Sequence, residues 1–175
     1  MRWSTLALII ACAALMIGSA LAQGTDVPGD SNGDKIVSAD EVAAAEKLAQ
    51  EGKISADELQ EIKHIHEKYP IEINDSSNRR IVIYKPIKKI ITQHSTTYIP
   101  LFILEAQDKI VGVTTDAQLA YSWVPGMEDK PSIGEYLDLD YEKIISLEPD
   151  VIFTARDRPD IREKLEPSNI TVIAL

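Results

Sequence analysis

The second half of this chain is constrained most by an alternation of β-branched strand segments with helical segments. Strands are predicted at residues 81–84, 89–92, 109–113, 150–154 and 171–175, and helices at 97–106, 138–147 and 159–165. Continuous apolar strands are typical of a sheet that is buried on both faces. Strands that alternate with helices are joined by right-handed crossovers into a mainly parallel sheet. The pattern therefore predicts a three-layer α/β lobe over residues 71–175.

Four segments of this lobe follow one another in an order that is typical of a known family. They cover residues 75–91, 108–113, 130–134 and 141–152. Together they resemble the first lobe of the class III solute-binding proteins that serve ABC importers. The resemblance implies a protein that is not an enzyme, binds metal chelates such as iron-siderophores, haem or cobalamin, and delivers them to an ABC permease.

The resemblance also implies a ligand cleft at the carboxyl ends of the parallel strands, where open α/β sheets generally bind their ligands. The candidate ligand-binding residues are Tyr98, Tyr136, Arg156 and Trp123. Tyr136 stands where family members often present an aromatic ring, and Arg156 is suited to an anionic group of a chelate. The alternatives are a rim tyrosine, a solvated arginine and an aromatic loop at Trp123 that packs on its own domain.

Two further expectations follow from the same family. Glu142 begins the helix that in the family carries an acidic residue for docking to the permease, although a carboxylate in a first turn also favours the helix dipole. Family members continue beyond the strand at 171–175 into a second lobe. The expectation is a lobe with half a cleft, whose second lobe is lost by truncation or supplied by another polypeptide.

The first half contains a twelve-residue pattern of oxygen-bearing side chains. Asp30, Asn32, Asp34, Ile36, Ser38 and Glu41 occupy loop positions 1, 3, 5, 7, 9 and 12, with Ile36 offering its backbone carbonyl. The spacing predicts one Ca²⁺ site. Lys35 departs from the pattern, because position 6 turns sharply and normally holds glycine. The segment resembles the EF-hand and the dockerin type of calcium module, without the helix that usually precedes the loop.

The same residues allow a simpler interpretation, in which Ser38 caps a helix and Glu41 completes a capping box. Two short helices are predicted at 39–50 and 56–69, and the second ends at Pro70. A weaker copy of the loop at 47–58 lacks ligands at its first positions and is predicted to be a structural partner loop. His64 and His66 lie two apart on a helix and cannot grip one ion together. The small helical EF-hand/dockerin-like module is placed at residues 26–70.

The N-terminus has the three parts of a secretory signal peptide. Arg2 precedes an apolar run over residues 6–21, and the triplet at 20–22 has the small-residue form of a cleavage site. An uncleaved membrane anchor is the alternative. Either interpretation predicts an extracytoplasmic protein with a signal peptide at residues 1–22. Cys12, the single cysteine, lies within this segment, so no disulfide is expected in the mature chain.

Net charge and composition limit the classes of partner and of function that this chain can have. The chain carries a net charge of -10, which becomes -11 without Arg2, and such a surface repels nucleic acid. Three histidines, with no nucleophile elbow or phosphate-binding glycine loop, give no pattern for an enzyme. The leading hypothesis is chelate capture for an ABC importer. The alternative is a calcium-dependent adhesion or scaffolding module that recruits a cohesin-like partner through its dockerin-like half.

Overall fold

A computed structural model describes residues 27–124 and 126–175. The predicted signal peptide and Cys12 lie outside the described residues. The chain divides into two compact units, one that ends at Glu67 and one over Lys68–Leu175. Within the described ranges, no helix has both the length and the apolar character needed to cross a membrane.

The first unit is a loop followed by two helices. Helix α1 covers Ala39–Gln50 and helix α2 covers Ala56–Lys68, as the sequence predicts to within one residue. Ser38 is the N-cap of α1, and the capping box with Glu41 is present. Over residues 27–67, the buried apolar side chains of this unit are Val27, Val37, Ala45, Ile62 and Ile65. Gly29 lies so close to α2 that a Cβ there would come within 2.7 Å of Ile62.

The second unit is built on a four-stranded sheet in which every strand is parallel. Its strands are β3 at Ile90–Thr92, β4 at Ile110–Val113, β7 at Val151–Thr154 and β8 at Thr171–Ala174, in the order β4-β3-β7-β8. All four strands are predicted from the sequence. An antiparallel hairpin precedes them, with β1 at Ile71–Asn74 and β2 at Arg80–Ile83. Strand β1 was not predicted. Its residues are mostly exposed, so it lacks the continuous apolar run that marks the buried strands.

Both faces of the parallel sheet are covered. Neighbouring residues on a strand enter two different apolar clusters: Ile90 belongs to one and Ile91 to the other. Because successive side chains of a strand point to opposite faces, two clusters on alternate residues mean two buried faces. Helices α3 at Ser95–Ile103 and α4 at Thr115–Ala120 contribute to the first cluster, and α5 at Tyr141–Ser146 and α6 at Pro159–Leu165 to the second. The predicted three-layer α/β arrangement is confirmed.

The helix predicted at 138–147 is shorter than expected. Asp138–Leu139 forms strand β6, which pairs antiparallel with β5 at Gly134–Glu135. The helix begins at Tyr141, and its N-cap is Asp140, whose carboxylate accepts a hydrogen bond from the Lys143 N–H at 2.9 Å. Asp138 is paired with Glu135 in the hairpin, so the start predicted for this helix at residue 138 is wrong. Helix α3 likewise begins two residues before its predicted start.

Candidate functional site

The carboxyl ends of β3 and β4 meet at a cavity of about 350 Å³. Gln93, His94 and Ser95 follow β3, and Thr114 follows β4. The remaining lining comes from α4, the residue after it and the β5–β6 hairpin, and consists of Asp116, Ala117, Ala120, Tyr121 and Tyr136. The cavity therefore lies where an open parallel sheet generally binds its ligand.

Gln93 is a buried polar residue of this cavity. Its side chain is buried, with 1% of the residue exposed. Its backbone N–H donates to the Phe153 carbonyl, and its backbone carbonyl accepts from the Thr114 hydroxyl at 3.1 Å. The side-chain Nε2 donates to the Tyr136 carbonyl at 2.9 Å, whereas Oε1 is buried without a hydrogen-bond partner. A buried polar atom without a partner costs free energy unless something binds it.

His94 joins the sheet to helix α3. It is the N-cap of that helix, and its Nδ1 accepts from the Thr96 N–H at 3.3 Å. Since Nδ1 is the acceptor, the neutral imidazole carries its proton on Nε2. The imidazole also meets the Tyr136 ring edge-on, with centroids 5.4 Å apart. His94 is not among the residues predicted to bind the ligand, although its position between a buried strand and a helix was the available signal.

Tyr136 is the predicted site residue that the structure places in the cavity lining. It lies at the turn of the β5–β6 hairpin and is half-buried. Gly134 makes this turn tight: its φ is +92°, and an added Cβ would come within 2.4 Å of the Asp138 carbonyl oxygen. The Tyr136 N–H lies 3.4 Å from the Asp116 carboxylate. The hairpin thus fixes the Tyr136 backbone between Gln93 and Asp116.

Tyr98 and Trp123 do not line this cavity. Tyr98 is 3% exposed and packs in the core, where its ring lies 6.5 Å from that of Phe102 and 5.9 Å from that of Tyr121. Burial raises the pKa of its phenol. Trp123 is 71% exposed, and its ring lies 6.2 Å from that of Tyr121, which does line the cavity. Tyr121 therefore connects both predicted aromatic residues to the site.

Arg156 is exposed beyond the end of β7 and does not line the cavity. The arginine held more closely is Arg158, whose Nη2 lies 2.6 Å from the Asp160 carboxylate. The hydrogen bond from Arg158 lowers the pKa of Asp160 and raises that of Arg158. The Arg158 Nη1 is buried without a partner.

Glu142 is exposed in the first turn of α5, a position that suits either a docking role or a favourable interaction with the helix dipole.

The loop over residues 30–41 is closed by its own carboxylates. Asp30 accepts hydrogen bonds from the N–H groups of Asn32, Gly33 and Lys35, at 3.2, 2.8 and 2.9 Å. Asp34 accepts from the Ile36 N–H at 2.8 Å. Lys35, at loop position 6, has φ +67°, in the region that favours glycine. The sharp turn expected at this position is therefore present even though the residue is lysine.

Glu41 ties the two ends of this loop together. Its Oε1 accepts from the N–H and the hydroxyl of Ser31, and its Oε2 accepts from the N–H and the hydroxyl of Ser38, all at 2.7–2.9 Å. The N–H groups of Ser38 and Ser31 lower the Glu41 pKa to about 2. Four hydrogen bonds use about all the lone-pair sites of a carboxylate. Bidentate binding of a cation by Glu41 therefore requires both serine hydroxyls to rotate away.

Over residues 27–124 and 126–175, no group of three or more His, Cys, Asp or Glu side chains is arranged to hold a metal ion. His66 is engaged elsewhere, since its Nδ1 lies 2.6 Å from the Val37 carbonyl oxygen.

Comparisons with known proteins identify the fold of the second unit. No family model matches the chain. A periplasmic solute-binding protein from Veillonella parvula DSM 2008 superposes on 61% of the chain, with a TM-score of 0.54 and 21% identity. The molybdate-binding protein MolA of Haemophilus influenzae superposes on 60%, with a TM-score of 0.54 and 22% identity. The lobe has an ABC solute-binding-protein fold.

Two further relatives agree with this solute-binding-protein fold. The petrobactin-binding protein YclQ of Bacillus subtilis superposes on 62% of the chain, with a TM-score of 0.51 and 20% identity. The ABC transporter substrate-binding lipoprotein YvrC of Bacillus subtilis strain 168 is 28% identical over 136 residues, 75% of this chain. The chain spans 42% of the length of YvrC and 34–38% of these solved chains.

Proposed function

We propose that this protein captures metal chelates outside the cytoplasm for an ABC importer, without bond chemistry. The observation that carries the proposal is the cavity at the carboxyl ends of a parallel sheet, in a lobe with the solute-binding-protein fold. Relatives named as periplasmic and as lipoprotein substrate-binding proteins support the extracytoplasmic location. The predicted signal peptide agrees with it.

The cavity supplies one wall of a binding site. Ligand pockets usually have volumes of about 300–1,000 Å³ and enclose most of the ligand. At about 350 Å³ this cavity is at the small end of that range, and it takes in only one side of a siderophore or a haem. We propose that a second lobe, on this polypeptide or another, closes over the opposite side. Tyr136 and His94 then offer ring surfaces to the ligand, and Gln93 offers an amide oxygen.

A fluorescence titration tests whether the chain binds metal chelates. Ferrioxamine B, haem and cyanocobalamin are added separately to the purified 175-residue chain, and tyrosine and tryptophan emission is followed. At least one chelate is expected to quench the emission saturably, and Tyr136→Ala is expected to weaken that binding about tenfold, because a half-buried ring surface is removed. Tyr84→Ala, which lies outside the cavity lining, serves as the matched control. Failure of all three chelates to bind contradicts the proposal.

Glu142 is proposed to dock with the permease. The residue is exposed on α5, and its charge is available to a cationic surface. Glu142→Lys is expected to reduce chelate uptake by the complete importer at least fivefold while leaving chelate binding unchanged. Glu163→Lys, an exposed charge reversal on α6, is the control. Equal uptake by both variants and the original chain removes the docking role.

A second candidate function is a calcium-ordered adhesion or scaffolding module formed by the first unit, with a cohesin-like partner. The observation that favours it is the positive φ of Lys35 at the position where an EF-hand loop turns. Asp30, Asn32, Asp34, Ser38, Glu41 and the Ile36 carbonyl would hold the Ca²⁺. Calorimetric titration of the full chain with calcium chloride is expected to show one site, which Asp30→Asn weakens. An absence of heat and of any calcium-dependent change in thermal stability contradicts this candidate.

A further inference from the structure

The polar groups of the strand-tip cavity differ in what they can offer a ligand. Gln93 Oε1 is a hydrogen-bond acceptor, and the orientation of its amide is fixed by a neighbour. Nε2 donates to the Tyr136 carbonyl, so exchanging the two amide ends would set two oxygens against each other. The atom left buried without a partner is therefore the oxygen. A ligand that satisfies it has to bring an N–H or O–H group.

The charge of the cavity lining also favours a hydrogen-bond donor on the ligand. Asp116 is the one formally charged residue among the described residues of the lining, which include no lysine or arginine. Asp116 is exposed, and its carboxylate accepts a hydrogen bond from the Tyr136 N–H at 3.4 Å. Arg158 interacts electrostatically with Tyr136 from outside the lining, but its charge is offset by Asp160. The lining therefore favours a positive charge over a negative one.

His94 does not change the preference of the lining for a positive charge. Its Nδ1 accepts from the Thr96 N–H, so the group that it offers to a ligand is a single donor, Nε2–H. A metal ion is a poor partner for this imidazole, because binding through Nε2 would move the proton to Nδ1 and oppose the Thr96 N–H. The hydroxyls of Tyr136 and Tyr121 can donate or accept. The acceptor at Gln93 and the charge at Asp116 remain the groups that discriminate between ligands.

We infer that the solute presents to this lobe a hydrogen-bond donor that carries positive charge, such as an ammonium group, and that chelates with an anionic face are disfavoured. This inference rests on the proposed capture function and narrows its substrate class. It departs from the sequence-based assignment of Arg156 to an anionic group of the ligand, since the Arg156 side chain lies outside the lining. Gln93 Oε1 binds the donor, and Asp116 selects for its charge.

A charge series built on one iron chelate tests the inference by calorimetry with the full chain. Ferrioxamine B has a pendant ammonium group, N-acetyl ferrioxamine B has a neutral amide in its place, and N-succinyl ferrioxamine B has a carboxylate. The expected order of affinity is ammonium, then acetyl, then succinyl, with at least a tenfold difference between the first and the last. Asp116→Asn is expected to shrink that difference to less than threefold. Because Asp116 is exposed, the substitution is expected to leave the fold intact.

Gln93→Leu tests the buried acceptor. The variant is expected to lower the affinity for ferrioxamine B about tenfold. Gln107→Leu is the matched control, because the Gln107 Oε1 is also buried without a partner but lies in the short turn Gln107–Lys109, outside the cavity lining. Thermal unfolding of both variants shows whether either change disturbs the fold. Equal losses of affinity in the two variants overturn the assignment of Gln93.

The outcomes separate the inference from the function on which it rests. If the succinyl chelate binds as tightly as ferrioxamine B, or more tightly, the charge preference is overturned while chelate capture stands. If Asp116→Asn leaves the full difference in place, Asp116 is not the selecting group and the inference also fails. If neither this series nor haem nor cyanocobalamin binds, chelate capture itself fails, and the inference fails with it.

Discussion

Glu41 shows at the scale of a single residue how one carboxylate organises a loop. It accepts four hydrogen bonds from two serines that are seven positions apart, and only 8% of it is exposed. These bonds favour the ionised carboxylate and hold its pKa near 2. The same carboxylate completes the capping box of α1. The start of that helix and the closure of the preceding loop therefore depend on the same charge.

Replacing Glu41 tests this dependence. Because the pKa of the folded state lies below the ordinary value of 4.5, Glu41 stabilises the first unit above pH 4.5, and this stabilisation is lost as the pH falls towards 2. In EDTA-containing buffer at pH 7, Glu41→Gln is expected to destabilise the first unit by about 1–2 kcal/mol. Urea unfolding followed by circular dichroism at pH 7 and pH 3 measures the effect.

Glu58→Gln is the matched control for this experiment. Glu58 makes the corresponding bonds to Ser55 at the start of α2, but it is exposed. A smaller loss of stability is expected for this variant, because solvent screens an exposed carboxylate. If the two variants lose equal stability, or if the difference between Glu41→Gln and the original chain is the same at both pH values, the role given to the Glu41 charge is contradicted.

Individual site residues were predictable to different degrees. The sequence predicts Tyr136 because a family motif surrounds it, and the structure places it in the cavity lining. Gln93 and His94 belong to no motif, and their importance comes from contacts with residues about 40 positions away. Tyr98 follows the same strand as these two residues, but the first turn of α3 directs it into the core. Hydrophobic periodicity alone does not distinguish residues that face the cavity from a residue that faces the core.

The β5–β6 hairpin is the element that sets the position of Tyr136. Gly134 has φ +92° and an added Cβ would clash with the Asp138 carbonyl oxygen, whereas Gly126 has φ +79° and open space around it. Gly126→Ala is expected to cost about 1–2 kcal/mol from backbone strain alone. Gly134→Ala is expected to cost about 1–3 kcal/mol more, because the clash adds to the strain. Urea unfolding of the two variants measures the difference.

Chelate binding by the same pair of variants shows whether the hairpin positions the ligand. Gly134→Ala is expected to weaken binding at a temperature where it remains folded, since the Tyr136 carbonyl and the Gln93 amide would no longer meet. Gly126→Ala is expected to bind normally. Equal stabilities and equal affinities in the two variants would mean that the turn tolerates a side chain at Gly134, contrary to the geometry.

A buried ion pair between Asp75 and Arg79 stabilises the β1–β2 hairpin. The Asp75 carboxylate is fully buried and accepts from the Arg79 guanidinium at 2.8 and 2.9 Å, and the Arg79 Nη2 also donates to the Val172 carbonyl on β8. Asp75→Ala is expected to destabilise the lobe by about 3–5 kcal/mol, because it removes the buried carboxylate that pairs with Arg79 and leaves the N–H groups of Ser77 and Arg79 without their acceptor. Thermal or urea unfolding monitors the loss.

Glu72→Ala is the control for the hairpin. Glu72 pairs with Arg80 on the exposed side of the same two strands. An exposed ion pair contributes little to stability, so this variant is expected to unfold almost as the original chain does. Destabilisation by Glu72→Ala equal to that by Asp75→Ala would show that burial does not distinguish the two pairs.

At the scale of the whole molecule, the sequence predicts the parallel sheet because the strands are continuous apolar runs that alternate with helices. The structure confirms this, and Ile90 and Ile91 show the reason: neighbouring residues on one strand are buried in different clusters. The short β5–β6 hairpin lies outside that prediction, because two-residue strands leave no periodic pattern. The proposed solute-binding role depends on this hairpin and on Gln93, the residue after β3, and neither is marked by a periodic pattern in the sequence.

The central claim is that solute binds at the carboxyl ends of β3 and β4. Hydrogen–deuterium exchange, with and without saturating ferrioxamine B, haem or cyanocobalamin, tests it most directly. We expect the bound chelate to slow exchange at the amides of residues 93–98, 114–121 and 134–137, while residues 27–67 exchange as before. Unchanged exchange at these three segments with every chelate, or protection confined to residues 27–67, would contradict the account.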